Sequence, residues 1–247
     1  MKILVCISKT PDTTTKISFK DNNTVFDTSN VQYIINPYDE WYALVRAIEL
    51  KEQNGGSVTT ITVGSVADEA VAIRKALAIG ADDAVRINAE PEDAYYTAYQ
   101  IAEYARENAY DIVLTGKETI DYNGSQVGGM ISELLGVPFV SYASKLDKDG
   151  DSLIIERDIE GGKETVNTTM PVVISAAKGL AEQRIPNMRG IMQARMKPLK
   201  VVEPKECESF TTIKSFEIPL EKSACKMVDA ENVSELVSLL KNEAKVI

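Results

Sequence analysis

Between residues 3 and 140, short apolar runs rich in β-branched residues alternate with segments of helical periodicity. Few folds accommodate that pattern. A parallel sheet needs a crossover between neighbouring strands, and the crossover is usually a helix. Strands covered by helices on both faces read as continuously apolar instead of alternating. Ile3-Leu4-Val5-Cys6-Ile7 is such a run, and Val58 to Val63, Ala84 to Ile87 and Asp111 to Thr115 repeat the theme. The expected fold is therefore α/β, doubly wound around a mostly parallel sheet, Rossmann-like or of the adenine nucleotide alpha hydrolase type.

The connections can be read in the same way. Lys16 to Thr28 alternates around Asp21-Asn22-Asn23 and predicts a small hairpin. Asn36-Pro37 predicts a helix start, with Asn as N-cap and Pro in the first turn. Trp41, Leu44, Val45 and Ile48 then form one apolar stripe, ended by Gly55-Gly56. A second helix is expected over Asp68 to Ile79, with Ala70, Val71 and Leu77 facing the core. A third runs from about Asp93 to Asn108, and a fourth ends at Leu135.

From about Leu146 the texture changes. Asp147 to Gly150 reads as a turn, Leu153 to Asp158 as a strand, and Pro171 to Ala177 as a buried strand. No period survives from Lys200 to Glu221, and Val233, Leu236, Val237 and Leu240 form a last helical stripe. The expected organisation is an α/β domain over residues 1–200, followed by a C-terminal extended arm and helix over 201–247. Such an arm usually lies against another chain.

Composition narrows the function classes. At 247 residues and 44% hydrophobic, the chain can bury a large core, and its formal charge of -10 argues against nucleic acid as a partner. It contains no His, which removes the commonest general base and metal ligand. Cys6, Cys207 and Cys225 lie far apart with no metal-type spacing, so no metal site is expected. The apolar run at the N-terminus is too short for a signal peptide or a membrane span, so a cytoplasmic chain without membrane insertion is expected. No nucleophile–base pair can be assembled, so no catalytic residue is assigned, and the inventory suits a carrier more than a hydrolase.

Ligands of doubly wound folds bind outside the carboxyl ends of the strands, which points to the loops after Ile7, Val63 and Thr115. The richest is Gly116 to Gly129, where small residues and free backbone N–H groups suit a phosphate at a helix N-terminus. Its spacing matches neither the P-loop nor GxGxxG, so spacing alone leaves it open between an anion cradle and a Gly-rich turn with a Ser N-cap. Asn36 is read locally as a cap whose amide could also reach a ligand over the first strand. Lys178 to Lys197 is basic within an acidic chain and carries Met188, Ile191 and Met192 among its charges. It packs either on its own domain or on a partner.

At these same residues the chain resembles the beta subunit of electron-transfer flavoproteins. The resemblance runs through MKILVCISK, INPYDEWYALV at Ile35 to Val45, ALAIGADDAVRI at Ala76 to Ile87 and LTGKETIDYNGSQVG at Leu114 to Gly128. It continues through ERDIEGGKE at Glu156 to Glu164 and EQRIPNMRGIMQARMKPL at Glu182 to Leu199, covering roughly residues 1 to 200.

The resemblance implies a heterodimer with an alpha subunit that holds or shares a redox-active FAD. It implies AMP in the beta subunit, with electrons passing from acyl-CoA dehydrogenases of fatty acid β-oxidation to a quinone-linked acceptor. Carried over by motif, the nucleotide would touch Cys6, Asn36, Val63, Gly64, Gly116 and Asp121, and the run Gly124, Ser125, Gln126, Val127 and Gly128. The segment at about 182–197 would be a partner-recognition loop with Arg184, Met188 as anchor, Arg189, Ile191 and Met192. Asp158 would contact the FAD domain, and the arm would pack on the alpha subunit.

The resemblance also implies an alternative, a bifurcating branch with FAD in this pocket oxidising NADH. Gln126-Val127-Gly128 resembles that branch, whereas the EGGKE segment and the bulky Tyr122 favour AMP. A further alternative is a stand-alone ATP-binding protein of the universal-stress type, which lacks the Glu156 to Leu199 motifs.

Overall fold

Ile3, Leu4 and Val5 are completely buried, because the strand they form lies in the middle of a nine-stranded sheet. The structure is a computed structural model that describes residues 1–220 and 224–247. Along the chain come β1 (Lys2–Cys6), four short strands, β2 (Lys9–Pro11), β3 (Phe19–Lys20), β4 (Val25–Phe26) and β5 (Tyr33–Ile35), and then helix α1 (Asp39–Asn54). Next are β6 (Ser57–Gly64), a π-helical turn Glu69–Ile73 running into α2 (Arg74–Ile79), β7 (Asp83–Asn88), α3 (Ala94–Asn108), β8 (Ile112–Gly116) and α4 (Val127–Leu135). The remainder is β9 (Phe139–Asp149), β10 (Ser152–Ile159), β11 (Gly162–Thr169), β12 (Val172–Ala176), α5 (Met188–Ala194), β13 (Leu199–Val202) and α6 (Val233–Leu239), followed by a π-helical turn Leu240–Ala244.

The sheet order is β11-β10-β9-β12-β8-β1-β6-β7-β13. From β9 to β13 every neighbour pair is parallel, and β10 and β11 extend one edge as an antiparallel meander. The fold is thus mixed α/β, doubly wound, with a mostly parallel sheet. Alternate residues of β1 feed two cores. Ile3, Val5 and Ile7 pack under α1 and α2 with Leu44, Ile48, Ala76 and Leu77. Leu4 and Cys6 face α3 and α4 with Ala98, Ile101 and Ile131.

The predicted hairpin is present as β3–β4, with Asp21, Asn22 and Asn23 all at positive φ. These are residue types that tolerate the left-handed region. Three local expectations need correction. Asn36 does not cap α1, whose N-cap is Tyr38 without a side-chain bond, because the Asn36 amide bonds a distant loop instead. Ala70 is exposed and Val71 only half buried, since the π-helical turn shifts the inward face to Ala72, Ile73, Ala76 and Leu77. The residue 200/201 boundary falls inside β13, whose Leu199–Val202 pairs with Ala84–Ile87 of β7.

Beyond β13 the arm stays on the domain for some distance. The Gln100 carboxamide bonds Lys205 through both its backbone groups. Asp93 accepts from Phe210 N and Thr211 N, and the Phe216 ring stacks on Phe19 at 4.6 Å. Helix α6 has no buried residue.

Candidate functional site

β1 and β8 are neighbours, yet the chain leaves them toward opposite faces of the sheet, from β1 to α1 and from β8 to α4. That divergence is the topological switch point, where doubly wound folds open a crevice. Its floor is Cys6 to Ser8 and its far wall is the loop Lys117 to Gln126. Asn36 spans the gap. It is fully buried, its Nδ2 donates to Glu118 O at 3.3 Å, and its Oδ1 accepts from Ile120 N at 3.2 Å.

The far wall is held by a few bonds. Lys117 pairs with Glu118 at 2.8 Å, and Ser125 Oγ donates to Glu118 Oε2 at 3.1 Å. Ser125 is therefore not the expected N-cap. That position belongs to Gln126, which makes no side-chain cap bond. The first N–H groups of α4 thus lack a capping side chain, and residues 121–126 before them are exposed. Unpaired N–H groups and the positive end of the helix dipole favour an anion there. Gly128 sits in that first turn with no space for a side chain: a Cβ would lie 2.8 Å from Thr115 Oγ1 and 3.0 Å from the Phe139 ring. Thr115 is itself buried, and its hydroxyl has no partner.

Nearby charges are mostly paired or buried. Lys9 bonds Asp68 at 3.1 Å. Glu40 is buried, accepts from Ser8 N at 2.7 Å and Ser8 Oγ at 2.8 Å, and is pushed up to about 8 by burial. Asp121 remains an exposed acceptor at the mouth, a group that suits ribose hydroxyls. The Cys6 side chain packs into the second core, where burial and then the charge of Glu40 push its thiol up.

The sequence-predicted residues divide accordingly. The structure brings together Cys6, Asn36, Gly116, Asp121, Gly124, Ser125, Gln126, Val127 and Gly128. Val63 and Gly64 close the next strand, where a Cβ on Gly64 would meet the Asp68 carboxyl at 2.8 Å. Glu40, Ser8, Lys9 and Thr115 escaped the sequence reading. An acid in the first turn of a helix looks like ordinary dipole complementation, and nothing local signals that Glu40 turns inward.

Beside Asp121 lies a pocket of about 350 Å³ lined by Ile17, Phe19, Phe26, Tyr122 and Phe216 among others. Tyr122 borders this space.

The predicted recognition segment is a separate feature. α5 is pinned to α2: Ala194 is buried, and Arg74 donates to Ala194 O and Lys197 O. A Cβ on Gly190 would lie 2.5 Å from Ala78 O. The outward side carries Ile185, Met188, Ile191, Met192 and Met196, all exposed, with Arg189 among them. Arg184 lies apart from this group, its guanidinium bonding Glu52 at 2.8 and 3.1 Å in an exposed pair that links the segment to α1. Asp158, near the β10–β11 turn, is exposed with Lys163 at 3.9 Å.

The sheet order, with its switch point between β1 and β8, defines a doubly wound α/β protein. Among the described residues no group of His, Cys, Asp and Glu could hold a metal ion, and no helix is long and apolar enough to cross a membrane. Residues 23–206 match the model of the electron transfer flavoprotein domain. Across an alignment 262 positions long the chain is 38% identical to the electron transfer flavoprotein subunit beta of Bacillus subtilis (strain 168), with 100% of each chain covered. The subunit beta of Syntrophomonas wolfei is 35% identical with 100% of this chain and 98% of that one covered, and the human subunit beta is 31% identical with 100% and 99% covered. The chain belongs to the electron transfer flavoprotein family and aligns end to end with its beta subunits.

Proposed function

We propose that the chain holds an adenine nucleotide in the switch-point crevice and serves as the non-catalytic half of an electron carrier, with a flavin-bearing alpha subunit as the other half. The observation that carries the reading is the uncapped α4 N-terminus beside Gly128 and the unpartnered Thr115 hydroxyl. The N–H groups of residues 126–129 would hold the phosphate, Asp121 and the backbone at Asn36 would face the ribose, and Val63 and Gly64 would flank the base. In this reading the nucleotide is AMP, and the redox-active FAD is held by the alpha subunit.

The exposed apolar side of α5 would dock an acyl-CoA dehydrogenase-type donor through Met188. Asp158 would meet the mobile flavin domain, the arm would pack on the alpha subunit, and electrons would leave to a quinone-linked acceptor. Met and Arg suit such adaptable contacts, and the exposure of Ile185, Met188, Ile191, Met192 and Met196 supports that assignment. A cytoplasmic setting goes with this reading.

A second reading draws on the pocket beside Asp121. At about 350 Å³ it lies in the size range of small-molecule sites, and its aromatic wall suits a planar ring. FAD could then occupy crevice and pocket together, with NADH as reductant. Purifying the complex, denaturing it and quantifying released nucleotides separates the two. One FAD and one AMP per heterodimer supports the carrier, whereas two FAD and no AMP moves the chain to the NADH-oxidising branch.

A further inference from the structure

Glu40 occupies an unusual place for a carboxylate. It lies in the first turn of α1 yet is 6% exposed, turned inward beneath the point where the chain leaves β8. Its Cγ would be 2.8 Å from a Cβ on Gly116, so Gly116 is the residue that lets the β8 loop rest on it. Both its oxygens are engaged by Ser8, Oε2 by the backbone N–H at 2.7 Å and Oε1 by the hydroxyl at 2.8 Å. Asn36, a few residues before Glu40 in the chain, bonds Glu118 O and Ile120 N on the far wall. One side chain therefore bonds the segment after β1 and packs against the start of the loop after β8.

We infer that Glu40 is the positioning residue of the crevice: it ties the loop after β1 to the loop after β8, and its charge state sets how well the site accepts an anionic ligand. The inference rests on the nucleotide reading above.

The charged and titratable groups around Glu40 come from every side. Asp39 on its own turn is pushed up by burial. From β1 comes Cys6, whose thiol Glu40 itself disfavours ionising. Lys9 follows Ser8 and is paired with Asp68. From the β8 loop come Lys117 and Glu118, paired with each other, and Asp121, whose charge raises Glu40 after burial has done so. The cations are thus already matched by acids, and none of them forms an ion pair with Glu40.

Burial pushes the Glu40 carboxyl up to about 8 against the opposing pull of its two Ser8 bonds, so it gains charge as the pH rises through that range. An ionised Glu40, bonded to Ser8 and packed under Gly116, would disfavour an anionic ligand lying over the same two loops. The phosphate itself changes charge near pH ~6, below the window concerned. By reciprocity, bound nucleotide should raise the Glu40 pKa further.

The test uses the complex of this chain with its alpha partner, stripped of nucleotide and titrated with AMP, and in parallel with FAD, between pH 6.5 and 9.5. Wild-type affinity should fall by about fivefold or more above pH 8, within the usual range of site–site coupling. Glu40→Gln, isosteric and neutral, should bind like the low-pH wild type at every pH. Glu40→Ala should bind weakly throughout, and in the full-length chain its amides at Ser8 and Glu118 to Ile120 should exchange faster. A Glu40→Gln profile that follows the wild type, or a Glu40→Ala protein with wild-type affinity and exchange, overturns the inference. If the wild type binds neither nucleotide at any pH, the nucleotide reading fails. Amide exchange then decides alone: faster exchange in Glu40→Ala upholds the brace, and unchanged exchange removes it.

Discussion

At the scale of single residues, the site depends on where side chains are missing as much as on where they stand. Gly128 is the clearest case. Its Cα lies so close to Thr115 and Phe139 that a methyl group must displace a buried hydroxyl and a ring. Gly128→Ala should cost about 1–3 kcal/mol, the usual range for overpacking, and should shift the first turn of α4 away from β8. Thermal denaturation reads the stability loss, and the nucleotide content of the purified complex should fall with it. A variant as stable as the wild type and with full nucleotide content would show that α4 tolerates the shift and that the tight approach serves no ligand. Asn36 makes the complementary point. Its sequence context, Asn before Pro at a helix start, argues for capping, but a buried amide goes to whichever backbone groups lack partners. Glu118 O and Ile120 N, 82 and 84 residues away, supply that need.

At the scale of elements, one carboxylate joins the arm to the domain. Asp93 Oδ1 caps α3 by accepting from Tyr96 N at 2.7 Å, and its Oδ2 accepts from Phe210 N and Thr211 N at 2.7 and 2.9 Å. Burial pushes its pKa up, but these backbone donors outweigh that and hold it below the ordinary carboxylate value. A lowered folded pKa means the stabilisation is present above the unfolded pKa and is lost as acid protonates the folded group. Asp93→Ala should cost about 1 kcal/mol through the lost cap, and should speed amide exchange at Phe210 and Thr211. Exchange at those two amides that matches the wild type would place the arm's attachment elsewhere, in the Gln100–Lys205 clasp and the Phe216–Phe19 stack.

The elements also show what was legible in advance. β1, β8 and β12 could be read because burial on both faces makes them mostly apolar, and β6 and β7 because β-branched and apolar residues dominate them despite Thr59, Thr60, Thr62 and Arg86. β11 could not. Its sequence Gly162 to Thr169 is polar on both sides and mostly exposed, so edge position erases the period that a half-buried strand would show. β13 has only four residues, with Lys200 inside it, and its strand character comes from pairing with β7. Within the site, the glycine-rich loop and Asp121 announced themselves by composition, whereas Glu40 and Thr115 matter through burial, which composition does not display.

At the scale of the whole molecule, the chain is an α/β domain with an appendage that it does not cover itself. Phe216 is the last arm residue seen stacked on the domain. Beyond it Leu220 and Met227 are almost fully exposed, and the stripe Val233, Leu236 and Val237 has no cover. Apolar groups left in water on this scale mark an interaction site. The proposed occupant, an alpha subunit, makes a sharp prediction. A chain ending at Val202 or earlier damages the sheet edge or leaves the arm's attachments unmade, so loss of the partner there would be ambiguous. A chain ending at Leu220 keeps β13, the Gln100 clasp, the Asp93 contacts and the Phe216 stack. Because α6 has no buried residue, its removal should leave the thermal midpoint of the isolated domain within about 2 °C of the full chain, less than the shift expected for ~1 kcal/mol. The same truncation should abolish equimolar co-purification with the alpha subunit. A stable truncated domain that still carries one alpha subunit per chain would mean that the heterodimer is held by the α/β face, and that the exposed stripe of α6 awaits a different partner.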